Sequence, residues 1–143
     1  MCPCPALDVR NAGKVRNRIL VVEDDPELIE LLKFNLSKAG FQVGVATDGA
    51  KALQQVRTHP PDLVLLDLML PELDGLAVCE ILRRDPATRS VPVIILTAVS
   101  SQLGRVAGLG AGANDYITKP FGLRDLLERI QAVLRPPGVA LGS

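Results

Sequence analysis

Tryptophan is absent from this 143-residue chain, aromatic residues make up 3% of it, and one histidine and one tyrosine stand in the whole sequence. With 48% hydrophobic residues, the core must therefore be packed by aliphatic side chains. A surplus of charge is missing too, because sixteen basic residues balance sixteen acidic ones. That balance gives no electrostatic footing for a nucleic-acid or membrane surface. No apolar run approaches the roughly 18 residues that cross a bilayer, and the first residues lack the apolar stretch of a signal peptide. The expectation is a soluble cytoplasmic protein of one domain, long enough to bury a core. Three cysteines, Cys2, Cys4 and Cys79, make no disulfide framework. Cys2-Pro3-Cys4 lies in an unpatterned tail, where a metal or lipid role is weaker than plain disorder; Cys79 reads as a small buried hydrophobe.

What the chain does have is alternation. After a disordered tail over 1–16, apolar runs recur at 18–22 (RILVV), 62–66 (DLVLL) and 92–96 (PVIIL), with weaker ones at 42–46 and 115–118. Runs that are continuously apolar suit strands covered on both faces, as in a parallel sheet. Helical patterns lie between them. Asp25 caps the first, Pro26 opens it, and Leu28, Ile29, Leu32 and Leu36 point inward before Gly40 stops it. Further helices fit 49–58, 74–84 and 101–112, the last weakened by Gly104, Gly108, Gly110 and Gly112. Leu123, Leu126, Leu127, Ile130, Val133 and Leu134 form one stripe on a fifth helix, which Pro136-Pro137-Gly138 follows. Five strands alternating with five helices predict a doubly wound α/β fold over 17–135, with 136–143 as a linker or tail.

In such sheets, functional groups gather beyond the C-terminal strand ends. There stand Glu23 and Asp24 after the first run, Asp67 after the third, Thr97 after the fourth and Lys119 after the fifth. Carboxylates crowded on one rim cannot all stay ionised without a cation. Oxygen ligands with room for water and phosphate suit Mg²⁺. Taken singly, Lys119 reads as a solvated lysine and Thr97 as a strand-end hydroxyl; their convergence reverses that reading.

The stretches RILVVEDD, PDLVLLDLMLPELDG, VPVIILTA and GANDYITKPF resemble, in order and interval, the receiver domain of two-component response regulators. The resemblance covers about residues 17–135 and implies a flavodoxin-like sheet of order 2-1-3-4-5. It makes Asp67 the phosphoacceptor, Asp24 a direct Mg²⁺ ligand, Glu23 a ligand through water, and Met69 a ligand through its backbone carbonyl. Lys119 and Thr97 would hold phosphoryl oxygens, with a cis peptide before Pro120 aiming the lysine. Asp25 has no role in the pattern beyond capping. Asp74-Gly75 reads as a turn and helix start, and His59 as a loop residue, since the phosphodonor histidine belongs to a separate sensor kinase. The implied protein is a switch rather than an enzyme.

Other families of similar plan fit less well. A dehalogenase-like phosphatase needs an acid where Met69 stands, a nucleotide-binding fold needs glycines after the first strand, and a flavodoxin needs a hydroxyl-rich loop there. A receiver-like scaffold that works without phosphorylation remains as the alternative, though such proteins usually lose the acids, the threonine or the lysine.

The resemblance extends to signalling. Thr97 and Tyr116 would act as a coupled switch on the surface of the fourth helix, fifth strand and fifth helix, although Tyr116 alone also reads as a core aromatic. RVAGLGAGANDYITKPF is similar to receivers of winged-helix transcription factors, which implies homodimerisation through that surface, with Arg105, Asp115 and Arg129 as candidate charges; an ordinary solvated face is the alternative. Leu103-Gly104 stands where an acid is often found. Met69 and Val99, two residues after Asp67 and Thr97, cannot orient water, which implies slow self-dephosphorylation. Roughly eight residues beyond 135 cannot form a DNA-binding module, so this chain would bind no nucleic acid itself, whether it acts alone or as the receiver part of a longer transcription regulator.

Overall fold

The computed structural model describes residues 17–68, 75–97, 112–119 and 121–134. The expected helix over 101–112, apart from Gly112, lies outside the described residues, as do the tails 1–16 and 136–143 with Cys2 and Cys4. Strands β1 (Arg18–Val22), β2 (Gln42–Ala46), β3 (Leu63–Asp67), β4 (Val93–Thr97) and β5 (Asp115–Thr118) form one parallel sheet of order β2-β1-β3-β4-β5. Helices α1 (Pro26–Lys38), α2 (Gly49–Thr58), α3 (Gly75–Arg84) and α4 (Leu123–Leu134) connect and cover it.

Three strands match their apolar runs residue for residue. The other two start and end one residue later than expected, β3 at Leu63–Asp67 rather than 62–66 and β4 at Val93–Thr97 rather than 92–96. The reasons are local. Asp62 stands at the entry of β3, its amide donating to the Arg18 carbonyl at 2.8 Å and its carboxylate accepting the Arg18 amide at 2.7 Å in place of a main-chain carbonyl. Pro92 has no amide hydrogen to donate, so regular pairing begins after it. The shift places Asp67 and Thr97 within the last turn of pleat rather than past it.

Two layers of side chains sandwich the sheet. Alternate strand residues Leu20, Val22, Val64, Leu66, Val93 and Ile95 meet Ala52 and Val56 of α2 and Val78, Cys79 and Leu82 of α3. The opposite set, Ile19, Val21, Leu63, Leu65, Ile94, Leu96 and Ile117, meets Leu32 and Leu36 of α1 and Leu126 and Ile130 of α4. Every residue of β3 and β4 is buried, as continuous apolar runs require. Cys79 is a fully buried packing residue. In α1, Asp25 accepts from the Glu27 amide at 3.0 Å, Pro26 opens the helix, and Gly40 leaves it at φ 101°.

One fastening at the far end of the sheet was not legible in the sequence. Arg83, on the last turn of α3, donates Nε to the Gly112 carbonyl at 2.8 Å and Nη1 to the carbonyls of Val91 and Arg89 at 2.7 and 3.1 Å. Its Nη2 donates to Asn114 Oδ1 at 2.8 Å, and that oxygen also accepts the Val93 amide at 2.9 Å. One guanidinium thus ties α3 to the entries of both β4 and β5. We expect Arg83→Ala to lower stability by about 1–3 kcal/mol in urea unfolding, because it strands those acceptors. Phe34→Ser, at a side chain 65% exposed, should stay within about 0.5 kcal/mol of the parent.

Candidate functional site

Strand order decides where the polar residues meet. The chain leaves β1 toward β2 on one side and returns to β3 on the other, so a crevice opens beyond the ends of β1 and β3. Glu23 continues β1, its amide bonded to the Ala46 carbonyl at 3.0 Å, and Asp67 ends β3. Lys119 follows β5, its amide bonded to the Thr97 carbonyl at 2.7 Å. Along their strands Glu23, Asp67 and Lys119 keep the alternation of the α1/α4 face. Thr97 and Tyr116 follow the alternation of the α2/α3 face, where Tyr116 packs on the core.

Carboxylate oxygens of Glu23, Asp24 and Asp67 all lie within 4.8 Å of one another. Glu23 is 1% exposed and Asp67 2%, whereas Asp24 stands in solvent. Lys119 Nζ bridges the two buried acids, 3.2 Å from Glu23 Oε1 and 3.5 Å from Asp67 Oδ2. A single ammonium cannot offset the cluster. Burial pushes the Glu23 carboxyl up to about 7, helped by a hydrogen bond to Asp67 and the repulsion of its charge, with Lys119 pulling the other way. Three oxygen donors, one of them an acid held that far above the usual range, form a donor set with an unmet demand for positive charge, which a divalent hard cation fits.

The structure brings Glu23, Asp24, Asp67, Thr97 and Lys119 to one rim, Thr97 being 2% exposed. Asp25 does what was expected of it, capping α1. His59 ends α2 exposed, its carbonyl accepting from Arg18 Nη1 at 2.7 Å. Met69, Asp74, Val99, Leu103-Gly104, Arg105 and the peptide before Pro120 lie outside the described residues. Asp115 and Arg129, read as candidate interface charges, are joined within the chain. Arg129 Nη1 donates to Asp115 Oδ1 and Oδ2 at 3.0 and 3.2 Å and to the Tyr116 carbonyl at 3.2 Å, and its Nε donates to Asp125 at 3.2 Å. The Tyr116 amide donates to Asp115 Oδ1 at 2.8 Å. Sequence reasoning missed that Lys119 pairs first with Glu23, and that Gly75 lies against Asp67. Neither contact has a spacing signal.

Comparison with known proteins agrees with this fold. The family model for the response regulator receiver domain matches residues 19–131. The DNA-binding dual master transcriptional regulator RpaA of Synechocystis is 45% identical over 118 residues, covering 82% of this chain and 49% of that protein. The chain thus spans about half the length of the curated relatives it matches. A response regulator from Chloroflexus aurantiacus superposes with a TM-score of 0.81 at 38% identity, covering 84% of this chain and 98% of the other. The receiver domain of the sensor histidine kinase PA1611 from Pseudomonas aeruginosa gives 0.78 at 34% identity, with the same coverage, and holds a magnesium ion coordinated in its active-site cleft.

The raised Glu23 carboxyl has a measurable consequence for folding. Its proton is held more tightly in the fold than in the unfolded chain, so its contribution is complete below about 4.5 and fades as pH rises through about 7. In magnesium-free urea titrations, wild type should lose roughly 2–3 kcal/mol relative to Glu23→Gln between pH 4.5 and 7.5. Parallel curves for the two proteins would show that Glu23 titrates normally.

Proposed function

The chain belongs to the response regulator receiver domain family, and on that premise we propose that it takes a phosphoryl group from a histidine kinase onto Asp67. The observation that carries the proposal is the buried Asp67 carboxylate, which shares its crevice with two more acids and one lysine. An Asp67 oxygen would attack phosphorus, forming a P–O bond while the P–N bond to the donor imidazole breaks and its electron pair stays on the ring nitrogen. Asp67 and Asp24 would hold Mg²⁺ directly, together with the Met69 carbonyl, and Glu23 through water. The ion would supply the positive charge that the phosphoryl oxygens need.

The protein's own groups do the rest. Lys119 Nζ is 3.5 Å from Asp67 Oδ2, close enough to turn toward an oxygen of the bound phosphoryl group. Its tie to Glu23 keeps that ammonium in the crevice until then. Thr97 ends the neighbouring strand and would donate its hydroxyl to a second oxygen. Burial excludes competing water from the nucleophile.

Readout would run through the α2/α3-face alternation that Thr97 and Tyr116 share. Drawing the Thr97 hydroxyl toward the phosphoryl group makes room for the Tyr116 ring to turn inward. The surface of 101–112, β5 and α4 would change with it, and a second copy or another partner that prefers the changed surface would stabilise it. Dimerisation requires Arg129 and Asp115 to exchange their present partners within the chain for partners across the interface. The setting we propose is cytoplasmic, in control of transcription, as the DNA-binding relative suggests.

Intact-protein mass spectrometry with phosphoramidate tests the chemistry. Wild type should gain one Mg²⁺-dependent phosphoryl adduct, and Asp67→Asn none; an adduct that survives in Asp67→Asn would refute the assignment. Sedimentation with beryllofluoride tests the readout. Wild type should dimerise, and Thr97→Ala should need about tenfold more protein to do so, a coupling of about 1.4 kcal/mol.

A further inference from the structure

We infer that Gly75 is a positioning residue for Asp67: its bare α-carbon lets the start of α3 close directly behind the peptide that carries the proposed nucleophile. The inference rests on Asp67 being the phosphoacceptor. A β-carbon built at Gly75 would lie 2.5 Å from the Asp67 carbonyl oxygen, 2.8 Å from the Leu68 α-carbon and 3.2 Å from the Asp67 carbonyl carbon. All three are backbone atoms, so no side chain can swing aside to admit it.

Nor can that backbone retreat freely. On the sheet side, the Leu68 amide donates to the Leu96 carbonyl at 3.1 Å, fastening the end of β3 to β4. On the helix side, the Gly75 amide donates to the Leu68 carbonyl at 3.3 Å, tying the start of α3 to the end of β3. The Asp67–Leu68 peptide is therefore wedged between β4 and the first residue of α3, with Gly75 buried. Ordinary contact begins near 3.4 Å, so a methyl group must drive this peptide or the helix back by most of an ångström. The Asp67 carboxylate hangs from that peptide. Displaced by such a distance, it loses alignment with an incoming phosphorus although every reacting group is still present, and misplacements of this size cost about 10²-fold in rate.

Gly122 supplies the control, since a β-carbon there meets nothing within 4 Å. The experiment follows acetyl phosphate-driven phosphorylation at saturating Mg²⁺, across donor concentrations, for wild type, Gly75→Ala and Gly122→Ala. Circular dichroism reports the folded fraction, and trimethylamine N-oxide is added if Gly75→Ala is partly unfolded. In the supporting result the plateau rate of folded Gly75→Ala falls about tenfold or more at unchanged half-saturating donor, while Gly122→Ala stays within about twofold of wild type. A plateau rate equal to wild type overturns the inference. So does an equal loss in Gly122→Ala, or a Gly75→Ala protein that stays unfolded in the osmolyte, which would assign the glycine to the fold alone. Failure of the underlying reading looks different: wild type itself would gain no Mg²⁺-dependent adduct at Asp67.

Discussion

One ammonium shared between two buried carboxylates is the constraint from which the rest of the rim follows. Lys119 reaches both Glu23 and Asp67, and Asp24 stands within ligand distance of the same cluster. Burial first, and then the hydrogen bond and charge of Asp67, press Glu23 to keep its proton near neutral pH. The charge deficit is built into the topology. The strand order sets the end of β1 beside the end of β3, and the sequence puts acids at both. A crevice so made presents clustered oxygen ligands of the kind that a hard divalent cation fits.

The scaffold is arranged to hold that imbalance. The aliphatic runs within β1, β3 and β4 give the sheet a dry interior on both faces, which keeps water from relaxing the charges at its rim. At the opposite end Arg83 gathers two loops and a side-chain amide, so the entries of β4 and β5 are fixed relative to α3. Fixed strand entries translate into fixed strand exits five residues on. The rim residues therefore owe their placement partly to bonds made at the far end of the sheet.

Much of this was legible in the residues. RILVV and DLVLL read as buried strands because a parallel sheet tolerates no polar face, and Asp25-Pro26 read as a helix start because a cap and a fixed φ are local properties. The candidate site was legible as strand-end chemistry, once the order of strands was supplied by resemblance. What escaped depends on distances between segments far apart in sequence. Arg83 lies 29 residues from Gly112, its carbonyl acceptor, and no periodicity reports such a bond. Gly75 looked like a turn residue because Asp-Gly is a turn signal; its real neighbour is the Asp67 carbonyl, which lies eight residues back in the sequence. The one-residue offset of β4 came from a missing amide at Pro92, which outweighs hydrophobicity at a boundary.

The bonds that Asp115 and Arg129 make to the main chain of Tyr116 bear on how far the sheet can grow. A terminal strand with open amides and carbonyls is a template on which a further strand can assemble. At Tyr116 the amide is engaged by Asp115 and the carbonyl by Arg129, so the middle of β5 offers no vacant rung. Neighbours approaching this flank at Tyr116 must recognise side chains instead of extending the ladder, which guards this edge of the sheet against edge-to-edge stacking.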